Sequence, residues 1–461
     1  MTKGALAASA LSLLSACPAP WPSLVVETRS ARLTPPPPTL FKGVMVFDGR
    51  EGLIAGPSDV LVTAGQIREI SPEIPPVPGE DVVRGDGRTL MPGLIDSHVR
   101  LDGQGEALWA PVVPDAKAQA AALLYAGVTT AVVAAHSEEA RLLQRDIAEG
   151  AVPGPKLWRA SRTFTAPGGR PEPVLEAFQG PVAALVSGGH REVRSPADAR
   201  AQVRDEIADT APDFIKVAVD SCGGPAPAPE LLEAIVHEAH RHGLLVLVRP
   251  GTVADAMAAM RMGADMLMHA PSCSELTDEQ RATLALRHLP VVSAVRAFDV
   301  LGRMFEGPLA LSPFELHLMR PGAEKAFEHK GDLGKYPRAP KDFPEQMRKR
   351  ADQSGRNVKS LVDGGAVVLA GTGSGMPGLF HGAAIHEELA ALVALGVSPA
   401  AAVRMATYVP GRVLMPDGAL GAVEVGAWAD LILVNGDPTK DIQATRNIAG
   451  VWQRGRKVPR R

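Results

Sequence analysis

Between Leu90 and Ala370, eight short apolar runs alternate with helix-like ones. That alternation is the pattern of a β/α barrel, in which each parallel strand is followed by a covering helix. The strand-like runs are Leu90–His98, Val128–Ala134, Lys156–Ala160, Phe214–Val219, Leu245–Arg249, Met266–His269, Pro290–Ala294 and Val367–Ala370. Helix-like runs cover Ala116–Ala126, Glu138–Glu149, Ala197–Asp209, Pro229–His242, Thr252–Met262, Ser354–Asp363 and Ile385–Leu395. Aromatic residues are only 4% of the chain, so this core is built from Ala, Val and Leu. The rhythm breaks at Arg296–Arg350, a stretch rich in Pro, Lys and Arg. A connection of that length is expected as a loop or small helical cap over the barrel mouth.

Both ends of the chain read differently. Leu40–Arg88 and Ala419–Arg461 are short runs with period-two alternation, punctuated by Gly and Asp, the signature of small sheets. A length of 461 residues accommodates a barrel plus such a partner domain. Upstream, Met1–Cys17 has one early Lys, a short apolar run and small residues before a cysteine. That is a signal-peptide plan, too short to span a bilayer. Leu14-Ser15-Ala16-Cys17 resembles a bacterial lipobox, which makes Cys17 a lipidation site; the competing reading is an ordinary signal peptide with Cys17 incidental. Seven prolines between Pro18 and Pro38 give an extended tether. The expected location is the bacterial cell envelope, lipid-anchored to the membrane through Cys17 or periplasmic. A formal charge of −3 and the lack of a long basic run exclude a nucleic-acid partner.

The most informative stretch is LMPGLIDSHVRLD, Leu90–Asp102. Residues two apart on a strand share a face, so His98 and Arg100 project together at its end. This segment resembles the first barrel strand of the amidohydrolase superfamily, whose pattern there is PG-[LF]-ID-x-H-x-H. The phrases GAVEVGAWADLILVNGDP and VWQRGRKV near the C-terminus are similar to the same family, specifically its imidazolonepropionase and Xaa-Pro dipeptidase branch. The resemblance spans roughly residues 40–461. It implies a TIM-type (β/α)8 barrel, 91–417 with the 296–350 insertion, and a composite β-sandwich formed by 39–90 and 418–461. The signal segment would then be 1–17 and the tether 18–38.

The family's chemistry is metal-dependent hydrolysis of C–N bonds. Its binuclear site uses two histidines after strand one, a carboxylated lysine on strand four, one histidine each on strands five and six, and an aspartate after strand eight. By resemblance these positions fall on His98, Arg100, Lys216, Arg249, His269 and Gly373. Three of the six are therefore lost. Arginine has no lone pair to offer a metal, and it stays protonated. Without two metals to bridge, Lys216 is expected as an ordinary ammonium. Arg100, Lys216 and Arg249 then place three cations at one mouth, where two charges about 6 Å apart cost about 3 kcal/mol at an effective dielectric of about 20. Asp96, Asp102 and Asp220 are candidate partners, and a bound anion is the other.

Two functions follow from the resemblance, beside a purely structural envelope role that would leave the barrel mouth filled with no pocket. The first is an envelope lipoprotein with the family's chemistry impaired or lost, binding a small anionic ligand through Arg100, Arg249, Lys216 and His381, with no cofactor. The alternative is an active amidohydrolase with a rebuilt, mononuclear zinc or other divalent site that includes His98 and His269. His136, His190, His381 and His386 are the other candidate ligands, each read first as a loop or helix-surface histidine. Cys222 and Cys273 follow strands four and six. They are read as free buried thiols, with a disulfide or a thiolate metal site beside His269 as alternatives. The sequence assigns neither substrate nor oligomeric state.

Overall fold

The computed structural model describes residues 36–76, 78–110, 115–169 and 189–460. The signal-like segment, Cys17 and the tether up to Pro35 lie outside the described residues. No helix among the described residues is long and apolar enough to cross a membrane.

The two chain ends build one sheet. Its N-terminal strands are β1 (Thr39–Phe47), β2 (Ile54–Thr63), β3 (Gln66–Ser71), β4 (Asp81–Arg84) and β5 (Thr89–Pro92). The barrel follows with β6 (Leu94–Val99), β7 (Val128–Val133), β8 (Lys156–Arg159), β11 (Phe214–Val219), β12 (Leu245–Pro250), β13 (Met266–Leu267), β14 (Val291–Val292) and β15 (Val368–Leu369). Short β9 (Thr163–Thr165) lies beside β11 with β10 (His190–Glu192) outside it, and β16 (Leu431–Val434), β17 (Ile448–Gln453) and β18 (Arg456–Lys457) return to the terminal sheet.

The junction between the ends is β5, which pairs with β1 in parallel and with β16 antiparallel. Both β5 and β16 are buried on both faces, so the polar alternation of a half-exposed strand is missing. Leu90, Leu431 and Leu433 enter the terminal sheet's own core with Phe41 and Trp452. Met91, Ile432 and Val434 face the other way, into the core shared with the barrel. The run expected as one strand, Leu90–His98, is thus two strands that break at Gly93. A Cβ on Gly93 would lie 2.2 Å from Thr129 Oγ1. Pro92-Gly93 lets the chain leave one sheet and enter the next.

The barrel is parallel throughout. It closes between β8 and β11 through Ala160 and Phe214. On the other side Ser97 N donates to Ala370 O at 3.0 Å, and Val99 bridges Ser374. Covering helices start on side-chain caps at Asp115, Ser137, Ser195, Thr252 and Thr277, each satisfying a backbone N–H that the first helical turn leaves open.

The insertion folds as a cap with a core of its own. Helix Arg296–Arg303 brings Phe298, and the remainder adds Phe305 and Phe327, all packed with Leu379 and Phe380 from the segment after β15. The helix expected from Ser354 begins eleven residues earlier, at Phe343, and runs to Asp363. Pro344 suits its first turn, where the missing N–H costs nothing. Its Lys- and Arg-rich opening, which reads as loop from composition, exposes Arg348 and Lys349 on one helix face while Arg350 is partly buried.

Candidate functional site: the C-terminal end of the barrel

Strand β6 delivers Asp96, His98 and Arg100 to the mouth. Asp96 is buried and accepts three hydrogen bonds: from Thr372 Oγ1 at 2.7 Å, Thr372 N at 3.1 Å and His98 N at 3.1 Å. It pins the turn after β15 to the end of β6. Burial pushes its carboxyl up to about 7 against the pull of those hydrogen bonds. The turn itself, Gly371–Gly375, lies directly on the backbone of β6. A Cβ on Gly375 would meet Arg100 O at 2.4 Å, and one on Gly371 would meet His98 N at 2.9 Å. Gly373 takes a left-handed φ of +71° and donates its N–H to His98 O at 2.7 Å.

Arg100 folds onto Asp102. Nε donates to Oδ1 at 3.1 Å and Nη2 to Oδ2 at 2.7 Å, the two-pronged geometry that suits a guanidinium to a carboxylate. His381 donates Nε2–H to the Arg100 carbonyl at 2.7 Å. It is buried, and burial takes its imidazole down to about 4, so it is neutral here. His386 is also buried, held between Thr445 Oγ1 and the Ala126 carbonyl, far from an exposed helix face. His190 lies 3.9 Å from Glu192, and burial lowers His136 below its usual value.

Across the mouth, β11 and β12 place Lys216 and Arg249, both buried. Arg249 Nη1 donates to Asp220 Oδ2 at 2.5 Å, with side-chain exposures of 7% and 3%. Gly251 makes room for this pair, since a Cβ there would stand 2.1 Å from Asp220 Oδ1. After β13, His269 donates Nδ1–H to the Ala270 carbonyl at 2.9 Å and meets the edge of Phe298 from the cap.

Two features here depart from the sequence reading. Cys222 and Cys273 are joined in a disulfide, Cα atoms 6.6 Å apart, rather than standing as free thiols. The loops after β11 and β13 both converge on Gly251, whose carbonyl accepts from Ser272 N and Cys273 N, and this brings the sulfurs together. The second is Arg350, at the end of the insertion. It reaches Cys222 Sγ at 3.5 Å and lies 5.8 Å from the Phe298 ring, beside Asp220 and Arg249. Burial lowers its affinity for its proton, Asp220 opposing and Arg249 adding to the effect. Its Nη1 is buried with no hydrogen-bond partner among the described residues. Nothing in the run PEQMRKR marks Arg350 out from its basic neighbours.

A binuclear metal centre does not fit this donor set. Arg100 and Arg249, which the sequence resemblance sets at two histidine positions, have no lone pair and are bound to carboxylates of the chain. Gly373 brings no carboxylate. The remaining His98, Lys216 and His269 are split between the two metal positions, neither of which reaches three protein ligands.

The fold and the ordered strand-end positions define a metal-dependent-hydrolase-type barrel. The model of the amidohydrolase family matches residues 89–286 and 345–458, omitting most of the cap. The chain belongs to the amidohydrolase family. Among solved structures, a Xaa-Pro dipeptidase with bound methionine in its active site is 22% identical with a TM-score of 0.73, covering 91% of this chain and 99% of that one. An amidohydrolase is 23% identical at a TM-score of 0.72, covering 92% and 99%. An ochratoxinase from A. niger is 18% identical at 0.70, covering 92% and 96%. These show the same fold. No curated protein matches the chain significantly.

Proposed function

We propose that this protein is a lipid-anchored envelope member of the amidohydrolase family that has given up the binuclear metal centre and holds a small anionic ligand at the barrel mouth. The carrying observation is that Arg100 and Arg249, at two of the family's histidine positions, are each engaged with a carboxylate of the chain, Asp102 and Asp220. Such pairs neutralise two of the mouth's cations internally and leave a dication fewer than three protein donors at either family position. Support for an anionic ligand comes from Arg350, whose buried Nη1 has no partner among the described residues. Support for an envelope location comes from the lipobox-like Leu14–Cys17 and from the Cys222–Cys273 disulfide, which suits an oxidising compartment.

One observation favours a second reading, a rebuilt mononuclear hydrolase. Asp220, Cys222 and Cys273 bring ligand atoms within 4.8 Å of one another, and reduction of the disulfide would free two sulfur donors. Elemental analysis separates the two. The protein is purified with zinc and manganese supplied, with and without reductant. Below about a tenth of an equivalent of any transition metal supports the first reading. Close to one equivalent, lost on His98→Ala or His269→Ala, or on Cys222→Ser in reductant, overturns it.

A further inference from the structure

A cavity of about 1180 Å³ lies at the opposite, N-terminal end of the barrel, between its floor and the terminal sheet. It is large for a crevice that the family's mouth chemistry does not use, and within reach of the size that small-molecule sites occupy. Lys156 and Arg159 of β8 line it, with Asp213 just before β11 and Trp428, Asp430 and Arg454 from the C-terminal segment. Seven of its lining residues are Lys or Arg and three are Asp or Glu, in a chain whose net charge is −3. Two of the seven, Arg141 and Arg145, carry their own carboxylates, Glu138 and Asp146.

Arg159 is the unusual member. It is 4% exposed. Its Nε donates to Gln144 Oε1 at 2.6 Å, and Nη2 donates to the Thr210 and Ala211 carbonyls, both at 3.0 Å. Asp213, the adjacent carboxylate, takes the Arg159 backbone N–H and the Gln144 amide instead of the guanidinium. Nη1 is buried with no partner among the described residues. A guanidinium cannot shed its proton, so a buried one normally finds a carboxylate or phosphate. Here neutral groups hold it in place, and both N–H groups of Nη1 stay unpaired among the described residues. Further along the cavity, Lys156 Nζ sits 4.5 Å from the Trp428 ring and 4.7 Å from Trp158, and Arg454 stacks on Trp428 at 4.1 Å. This gives a flat aromatic wall already carrying two cations.

We propose that this cavity is a binding site for a small organic acid, a molecule with a carboxylate or phosphate anchored by Arg159 and an organic body resting against the Lys156–Trp428–Arg454 wall. The site is separate from the barrel mouth and does not depend on what the mouth binds.

The test is calorimetric titration of the full chain with two probes, benzoate and phenyl phosphate; whichever binds more tightly identifies the acid. Binding at about 1 mM or tighter is expected for at least one. Arg159→Met is expected to weaken it about tenfold or more, the loss of a charge-assisted hydrogen bond. Lys156→Met, at a half-buried position, is expected to weaken it severalfold and remains decisive if Arg159→Met does not fold. Arg350→Met, at the mouth, leaves in place the binding that depends on Lys156 and Arg159. No binding of either probe below about 10 mM overturns the proposal. So does binding that survives in Lys156→Met and folded Arg159→Met, or that is lost in Arg350→Met, which would assign the acid to the mouth.

Discussion

Arg249 and Asp220 form a buried ion pair, 2.5 Å from Nη1 to Oδ2, between the ends of two neighbouring barrel strands. The pair is built in by its surroundings. Asp220 directly follows β11, Arg249 nearly closes the neighbouring β12, and Ala218 stands opposite Arg249 in the register. Gly251 is kept free of a side chain beside the carboxylate. Two charges taken out of water together are costly, and each becomes far more so when the other is removed.

Arg249→Met should therefore destabilise the protein by about 3–5 kcal/mol, because it strands the Asp220 carboxylate. Arg350 beside it should hold the loss toward the lower end. Arg249→Met combined with Asp220→Leu should recover most of the stability, since neither buried charge remains. Denaturant melts of the three proteins check this. A double variant no more stable than Arg249→Met would mean that the pair contributes through packing alone.

Asp96 makes a pH-dependent contribution of predictable sign. Its carboxyl titrates near 7 in the fold, against an ordinary value of 3.8, because burial disfavours the charged form. The native state thus binds more protons than the unfolded chain between those values. Its stabilisation is fully present below 3.8 and is lost as pH rises through about 7, with a slope of at most about 1.4 kcal/mol per pH unit. His381 and His386, both lowered to about 4, act in the opposite sense and lose their contribution as pH falls through that value. The single-group effect is therefore read from a difference. Asp96→Asn should gain stability relative to the parent as pH rises from about 4 to about 7, whatever the parent's own profile. A constant difference across that range would place the Asp96 titration elsewhere.

The parts of this fold that were legible are those in which one residue's environment repeats along an element. Phe214–Val219 is buried on both sides, so its unbroken apolar run marks a strand to the residue. The terminal strands are legible as short punctuated runs, and their joining follows from family resemblance rather than from spacing; that β5 makes the junction does not, since Leu90–Pro92 reads as part of the first barrel strand. What escaped depends on contacts between distant positions. Gly93 breaks a strand because Thr129 lies against it. Pro344 and the basic residues around Arg350 look like loop until an apolar face of Phe343 and Met347 is set against the cap core. At the mouth, Asp96, Asp102 and Asp220 were visible as carboxylates near arginines, but only the folded chain gives Asp96 to Thr372 and the other two to Arg100 and Arg249.

The pairing of Cys222 with Cys273 is of the same kind, since 51 residues separate them and include all of β12 and β13. A crosslink closing a loop of that length removes unfolded-state freedom worth about 4 kcal/mol in the chain-entropy model. The bond also ties together the loops that flank Arg249, with Arg350 donating to one of its sulfurs. Cys222→Ser with Cys273→Ser should therefore lower stability by up to about 4 kcal/mol, and reductant should lower the parent to the same level while leaving the double variant unchanged. Non-reducing peptide mapping should find the two cysteine peptides linked. Recovery of both as unlinked thiols from protein kept under oxidising conditions would refute the bond, and it would restore Asp220, Cys222 and Cys273 as a candidate metal-binding group at the mouth.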